Sequence, residues 1–186
     1  MIDESRMTLA RDWKGTPLFG WFFSEKIEDC RVVWDGASGE FWTRHGNIVP
    51  APNWFKRGLP KCRVDGGIWA GRGNFQQAST AVRFGGHWFD DAPLRFVPFD
   101  HPEVSGTWDR RITEANRAVA GAQCADPLEF WTVKHYRDFV SLLKRIAPLG
   151  GEGVMFRNPE ITSYETGRSA NLLRLKFKKD QGGDDE

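Results

Sequence analysis

Through the first half of the chain, apolar residues gather in short blocks bounded by turn residues, a pattern that predicts strands. Residues 18–24 (LFGWFFS) form an apolar, aromatic run that ends at a charged pair. Residues 31–34 (RVVW) form a second, closed by the turn signal Asp35–Gly36. Residues 40–43 form a third, followed by the turn His45–Gly46–Asn47. Residues 63–69 (RVDGGIW) and 94–99 (LRFVPF) are further strands. Pro98 has no N–H for a ladder, so it sets the last of these at a sheet edge or a bulge. Gly71–Arg72–Gly73 and the stretch 84–87 (FGGH) read as a turn and a loop.

The second half mixes two periods. Residues 75–82 predict a short helix, and residues 108–120 (WDRRITEANRAVA) a longer one with good helix formers and apolar residues at helical spacing. Residues 135–147 (HYRDFVSLLKRIA) are the clearest helix, with Phe139, Leu142, Leu143 and Ile146 along one face and Pro148 and Gly150–Gly151 as the stop. Residues 128–133, 153–156 and 172–177 predict strands. Strands followed by mixed elements, without strict βαβ alternation, give an α+β class with mainly antiparallel sheets flanked by helices. No repeat or interior linker breaks the pattern, so residues 1–180 are read as one domain and the acidic tail at 181–186 as disordered.

With 186 residues, the chain can bury a core without disulfide staples. Its nine Trp and fourteen Phe serve mostly as core filling, Trp88 and Trp131 among them, and secondarily as flat surfaces for stacking. A net charge of +1 gives no global basic signature, so nucleic-acid binding needs a local patch. Arg168, Arg174, Lys176, Lys178 and Lys179 are the candidate, although on charge alone they read as a solvated face. Three cysteines, an odd number without metal-like spacing, predict free thiols in a reducing compartment and argue against a zinc site. The four histidines show no metal spacing either. Charged first residues and the lack of a long apolar run predict a cytoplasmic protein with no membrane span.

Candidate chemistry begins at Ser24–Glu25–Lys26–Ile27–Glu28–Asp29–Cys30–Arg31. An apolar strand delivers Lys26 among acids and an arginine, and a desolvated lysine sheds its proton and becomes a nucleophile. Alone, the segment reads equally as a strand end with ordinary salt bridges. Four later segments alter the balance: Asp65–Gly66–Gly67–Ile68–Trp69–Ala70–Gly71–Arg72–Gly73, Phe96–Val97–Pro98–Phe99–Asp100, Gly151–Glu152–Gly153–Val154–Met155 and Leu172–Leu173–Arg174–Leu175–Lys176. In order and spacing the five resemble the covalent nucleotidyltransferase superfamily of ATP-dependent DNA ligases, RNA ligases and mRNA capping enzymes. They are most like the small ATP-dependent DNA ligases of viruses, phages and bacteria. There the lysine segment runs Glu-Lys-x-Asp-Gly-x-Arg and is often followed by Trp-Asp-Gly, as in Trp34–Asp35–Gly36 here. The resemblance extends from Ser24 to Lys176; each motif alone is weak, and five in order are specific.

The resemblance implies the ATP-grasp-like nucleotidyltransferase domain of DNA ligases, acting in DNA replication, repair and recombination. It implies that Lys26 attacks the α-phosphate of ATP, expels pyrophosphate and holds AMP, with Glu25 beside it in the nucleotide site. Arg31 then contacts the nucleotide sugar, Phe99 stacks on adenine, and Arg44 binds the 5′-phosphate of a nick. Glu152 holds a divalent cation, Mg²⁺ or Mn²⁺, with Glu28 a second candidate ligand. Arg174 and Lys176 flank the α-phosphate, where cations offset developing charge. Tyr164–Glu165–Thr166–Gly167–Arg168–Ser169 matches the stretch before the last motif. The implied substrates are ATP and nicked double-stranded DNA, and the implied enzyme is a monomer, in the host cytoplasm if phage-encoded.

Three positions depart from the pattern: Glu28 stands where Asp is usual, Asp29 where Gly is usual, and Gly67 where Glu is usual. The last removes a carboxylate that in the family contacts the ribose or the metal site; Asp65 and Glu28 are the candidates to compensate. Ligases of this kind also continue into an OB-fold, and ten residues after Lys176 are too few for its five-stranded barrel. The chain is therefore read as a catalytic domain cut from a larger protein, or a single-domain variant that binds DNA weakly. An RNA ligase or capping-type enzyme, and a catalytically weakened nucleotide- or DNA-binding module of the same fold, are the alternatives.

Overall fold

The computed structural model describes residues 7–177. The expected acidic tail, and Lys178 and Lys179 of the basic cluster, lie outside the described residues. Thirteen elements follow one another: β1 (Thr8–Asp12), β2 (Phe22–Lys26), β3 (Cys30–Asp35), β4 (Glu40–Thr43), α1 (Asn53–Lys56), β5 (Arg63–Trp69), α2 (Phe75–Phe84), β6 (Arg95–Asp100), α3 (Trp108–Val119), β7 (Trp131–Thr132), α4 (Tyr136–Ile146), β8 (Gly153–Arg157) and β9 (Gly167–Lys176). They make two sheets, ordered β1-β9-β8-β2-β7 and β4-β3-β5-β6. The α+β reading holds, and every strand pair is antiparallel except β1 with β9, which is parallel.

Alternation along each strand sorts its side chains between faces. In β3, Val32 and Trp34 enter the large core shared with Val64 and Ile68 of β5, Ala78 and Ala81 of α2, and Ile112 and Ala115 of α3. Val33 points the other way, onto Met7 and Trp42. In β8, Val154 and Phe156 join Phe23 and the α4 face of Phe139, Leu142 and Ile146 in a second core. Helix α4 opens with the Asp138 carboxylate accepting hydrogen bonds from the backbone N–H of Lys134 (2.8 Å) and His135 (2.7 Å). These bonds hold the Asp138 carboxyl below its usual range. Pro98 sits where expected: β6 is an edge strand, and its partner β5 shifts register between Asp65 and Gly66.

Several expectations need correction. Strand β2 begins only at Phe22, because residues 18–21 turn, with the Trp21 N–H on the Leu18 carbonyl (3.0 Å) and Gly20 at φ +81°. Of residues 128–133 only Trp131–Thr132 pairs, and α2 runs on through Phe84 before a 3-10 turn at Gly86–Phe89. Trp88 and Trp131 are surface residues, 40% and 38% exposed, not core. Trp131 lies on an edge strand, against the Phe23 ring (5.6 Å) and under the Arg145 guanidinium (5.9 Å). Strand β1 (TLARD) has too few apolar residues to announce itself; its partner β9 supplies the ladder.

Helix α3 is anchored on β6 from below. The Trp108 indole N–H donates to the Phe99 carbonyl (2.9 Å), and Arg111 pairs with Asp100 (2.7 Å) with both side chains less than 5% exposed. Removing one member of such a pair strands a buried charge, at a cost of about 3–5 kcal/mol. Arg111→Ala is expected to lower the unfolding free energy by that order in urea titration; a loss below about 1 kcal/mol would show that Asp100 finds other solvation.

Candidate active site

The chain crosses from one sheet to the other between Lys26, the last residue of β2, and Cys30, the first of β3. Lys26 and Arg31 therefore belong to different sheets and face the space between them. In the first sheet Lys26 lies opposite Gly153, and Gly153 opposite Lys176. This register brings three strand ends into one row. Glu152, just before β8, accepts from both amines: Lys26 Nζ at 2.6 Å and Lys176 Nζ at 2.7 Å. Lys26 and Glu152 side chains are 18% and 16% exposed, so this is a half-sheltered triad rather than a surface pair. Burial works against the Glu152 charge, but the two lysines outweigh it and hold the carboxyl below the usual glutamate range.

Beside the triad lies a cleft of about 220 Å³ whose lining includes Lys26, Asp29, Arg31, Arg44, Phe99 and Arg157. Arg31 is locked: its Nε and Nη2 meet Asp65 Oδ1 and Oδ2 at 2.7 and 2.5 Å, and its guanidinium lies 5.1 Å over the Phe99 ring. Tyr164 donates its hydroxyl to the same Asp65 carboxylate (2.7 Å). Burial opposes the Arg31 charge, yet Asp65 more than compensates and raises its pKa; burial and the Asp65 charge also raise that of Tyr164. Burial pushes the Asp29 carboxyl up to about 6, against the pull of Arg31 and Lys26. A more voluminous groove, about 720 Å³, runs past Phe23, Trp131, Lys134, Asp138 and Arg145, but its carboxylate, Asp138, is taken up by the backbone N–H groups at the start of α4.

The remaining candidates are placed unevenly. Glu25 reaches the cleft but is clasped by both nitrogens of Arg72 at 2.7 Å, so the Gly71–Arg72–Gly73 turn positions an arginine. Arg174 lines the cleft while its Nε donates to Asp12 on β1 (2.6 Å). Arg44 is exposed at the cleft's rim, donating to His45 Nε2 (3.0 Å). Glu28 is not among the cleft's lining residues, and Asp65 is fully buried and accepts from Arg31 and Tyr164. Among the described residues there is no group of three or more His, Cys, Asp or Glu able to hold a metal ion. Arg157 was not singled out in the sequence, and Asp29 stood there only as a departure from the pattern. Arg157 shares the cleft-facing parity of Met155 in β8, lies 4.8 Å over the Trp108 ring, and is lowered to about 10 by burial. The period of two along β8 was the signal for it.

The chain is similar to a DNA ligase of Haemophilus influenzae, 29% identical over 176 residues, covering 93% of this chain and 64% of that protein. Among solved structures it is similar to a Lig E DNA ligase from a study of DNA binding with a minimal scaffold. The TM-score is 0.78 at 26% identity, over 95% of this chain and 69% of that one. The chlorella virus DNA ligase-adenylate matches with TM-score 0.76 at 20% identity, over 93% of this chain and 67% of that one. The chain has the fold of DNA ligase nucleotidyltransferase domains. No family model matches the sequence. Four of the five sequence motifs contribute residues to the cleft's lining, and the fifth, residues 65–73, holds Arg31 and Glu25 there through Asp65 and Arg72. No helix among the described residues is long and apolar enough to cross a membrane.

The triad makes a pH prediction. A carboxyl held below its usual range contributes stability that is present above the unfolded-state pKa and is lost as pH falls through the folded value. Glu152→Gln is therefore expected to lower the urea midpoint at pH 7, and the gap from wild type to close as pH falls below the usual glutamate range. A gap that stays constant with pH would refute a stabilising role for this charge.

Proposed function

We propose that this chain is the catalytic domain of an ATP-dependent DNA ligase that carries AMP on Lys26 and passes it to the 5′-phosphate of a DNA nick. The observation that carries the reading is the convergence of the Lys26 and Lys176 amines on Glu152, beside a cleft containing Phe99 and the fixed guanidinium of Arg31. The Haemophilus relative's name and the ligase structures support the same reading. The chain spans 64% of that relative's length, so the activity of the whole protein is part of the proposal.

In this reading the Lys26 amine gives up its proton and attacks the α-phosphorus; a P–N bond forms and pyrophosphate leaves. A 5′-phosphate oxygen then displaces Lys26, joining AMP to the DNA end. Finally the 3′-hydroxyl attacks the 5′-phosphorus and AMP departs with the electron pair. Phe99 offers the flat face for adenine. Lys176 and Arg174 offset charge growing on the phosphate oxygens, where fixed cations help most in a half-dry site. Arg44 at the rim takes the 5′-phosphate. Mg²⁺ or Mn²⁺ is commonly held by one or two carboxylates together with substrate phosphates. Glu152 fits that role, and a bound cation would supply further neutralisation of phosphate charge. The substrates are ATP and nicked double-stranded DNA, and the enzyme is read as a cytoplasmic monomer.

Incubation with α-labelled ATP and a divalent cation, followed by denaturing electrophoresis, tests the reading. Label on the wild-type chain that disappears in Lys26→Ala is expected. Lys176→Ala is expected to slow labelling by about 10²-fold. Phe99→Ala is expected to raise the ATP KM about tenfold, as loss of one stacking face would. A wild type that takes no label, yet binds nucleotide, would instead be a binding module of the same fold.

A further inference from the structure

Two of the departures from the ligase pattern, Asp29 and Gly67, occupy the same space. Gly67 lies in β5, opposite Arg31 of β3, and Asp29 lies one residue before β3 begins. A Cβ built on Gly67 would stand 2.5 Å from Asp29 Cγ and 2.7 Å from Asp29 Cβ, and closer still to its Oδ2. These are not the far atoms of a flexible chain, so no side chain at position 67 coexists with this Asp29. The backbone gives no other reason for the glycine, since Gly67 sits in a strand and has no positive φ. The glycine is there for room, and the carboxylate of Asp29 takes that room.

The other carboxylates around the site are committed. Asp65 serves Arg31 and Tyr164, Glu25 serves Arg72, and Glu152 serves Lys26 and Lys176. Asp29 has no such partner: among the described residues no side chain donates a hydrogen bond to it, though it lines the cleft with Phe99 and Lys26. Burial makes its charge costly there. An acceptor of this kind suits a neutral donor rather than a phosphate, which it would repel. In a nucleotide whose base lies on Phe99 and whose α-phosphate faces Lys26, the donors between the two are the ribose hydroxyls.

We propose that Asp29 holds the ribose hydroxyls of the bound nucleotide, supplying from the β2–β3 link the carboxylate that position 67 lacks, with Gly67 as its obligatory small partner. This rests on the nucleotide reading of the cleft. The test is calorimetric binding of AMP and of 2′,3′-dideoxy-AMP to the full chain, which needs no catalysis. Wild type is expected to prefer AMP by about tenfold, the scale of hydrogen bonds to a charged acceptor. Asp29→Gly and Asp29→Asn are expected to lose most of that preference while melting no lower than wild type, since a costly charge is gone. Gly67→Glu alone is expected to weaken AMP binding through the clash. The double variant Asp29→Gly with Gly67→Glu is expected to regain the preference. Wild-type preference retained in both Asp29 variants would overturn the assignment to Asp29, and a double variant no better than Gly67→Glu would overturn the exchange. If wild type binds neither nucleotide, the ligase reading fails first and this proposal with it, a result distinct from either.

Discussion

Two lysines from neighbouring regions of one sheet point at the same spot, and the arrangement stands only because Glu152 lies between them. The register that makes this possible is narrow: Lys26 faces Gly153, and Gly153 faces Lys176. A one-residue slip of β2 on β8 would turn Lys26 to the opposite face of the sheet and place Glu25 in its position. The packing of Phe23, Val154 and Phe156 against α4 fixes that register, because the same slip would expose the apolar face. Core burial therefore sets the position of the charged triad, and α4 matters to the chemistry without touching it.

The second sheet solves a different problem. It must present Arg31 and Phe99 at fixed positions across the cleft from the triad. Asp65 holds Arg31 by both oxygens from the adjacent strand, and Tyr164, which comes from the segment before β9, completes the carboxylate's partners. Phe99 is seated by the indole of Trp108 on its carbonyl, and α3 is held there by the buried Arg111–Asp100 pair. Arg31 and Arg111 are thus each tied by a partner on a different element, which helps keep a site at a seam between two sheets from spreading.

Most of the frame was legible in the chain because burial imposes periods. The strand at Arg63–Trp69 and the amphipathic stripe of α4 announce themselves by alternation and by helical spacing. Strand β1 was not legible: Thr8–Asp12 has little apolar content, and its place comes from a parallel ladder with β9, a long-range pairing without a local mark. Trp88 and Trp131 read as core because aromatic rings usually are, and composition alone does not tell a ring in a core from one lying on an edge strand. Within the site, Lys26, Arg31, Phe99, Glu152, Arg174 and Lys176 were legible as motifs, and the structure brings them together. The commitment of Asp65 to Arg31 and Tyr164 was not legible, because the partners are 34 and 99 positions away in sequence.

Charge shows why the whole-chain average hid the site. Overall the chain carries +1, which predicts no pull on polyanions. The cleft is different: Lys26, Arg31, Arg44, Arg157 and Arg174 line it with Glu25 and Asp29, and Glu152, Asp65 and Asp12 pair with three of these cations from just outside the lining. Salt screens charges beyond about 8–10 Å, so a phosphate near the cleft responds to this local set of cations and their partners and not to the chain's overall charge. The locking of these cations also bears on function. An arginine already paired to Asp65 cannot swing out to meet a phosphate without abandoning a buried carboxylate, so Arg31 acts as a fixed surface. Arg44, exposed and paired only to His45, has no such tether. The residues free to move toward an incoming anion are therefore those at the rim, and those that must hold still lie inside.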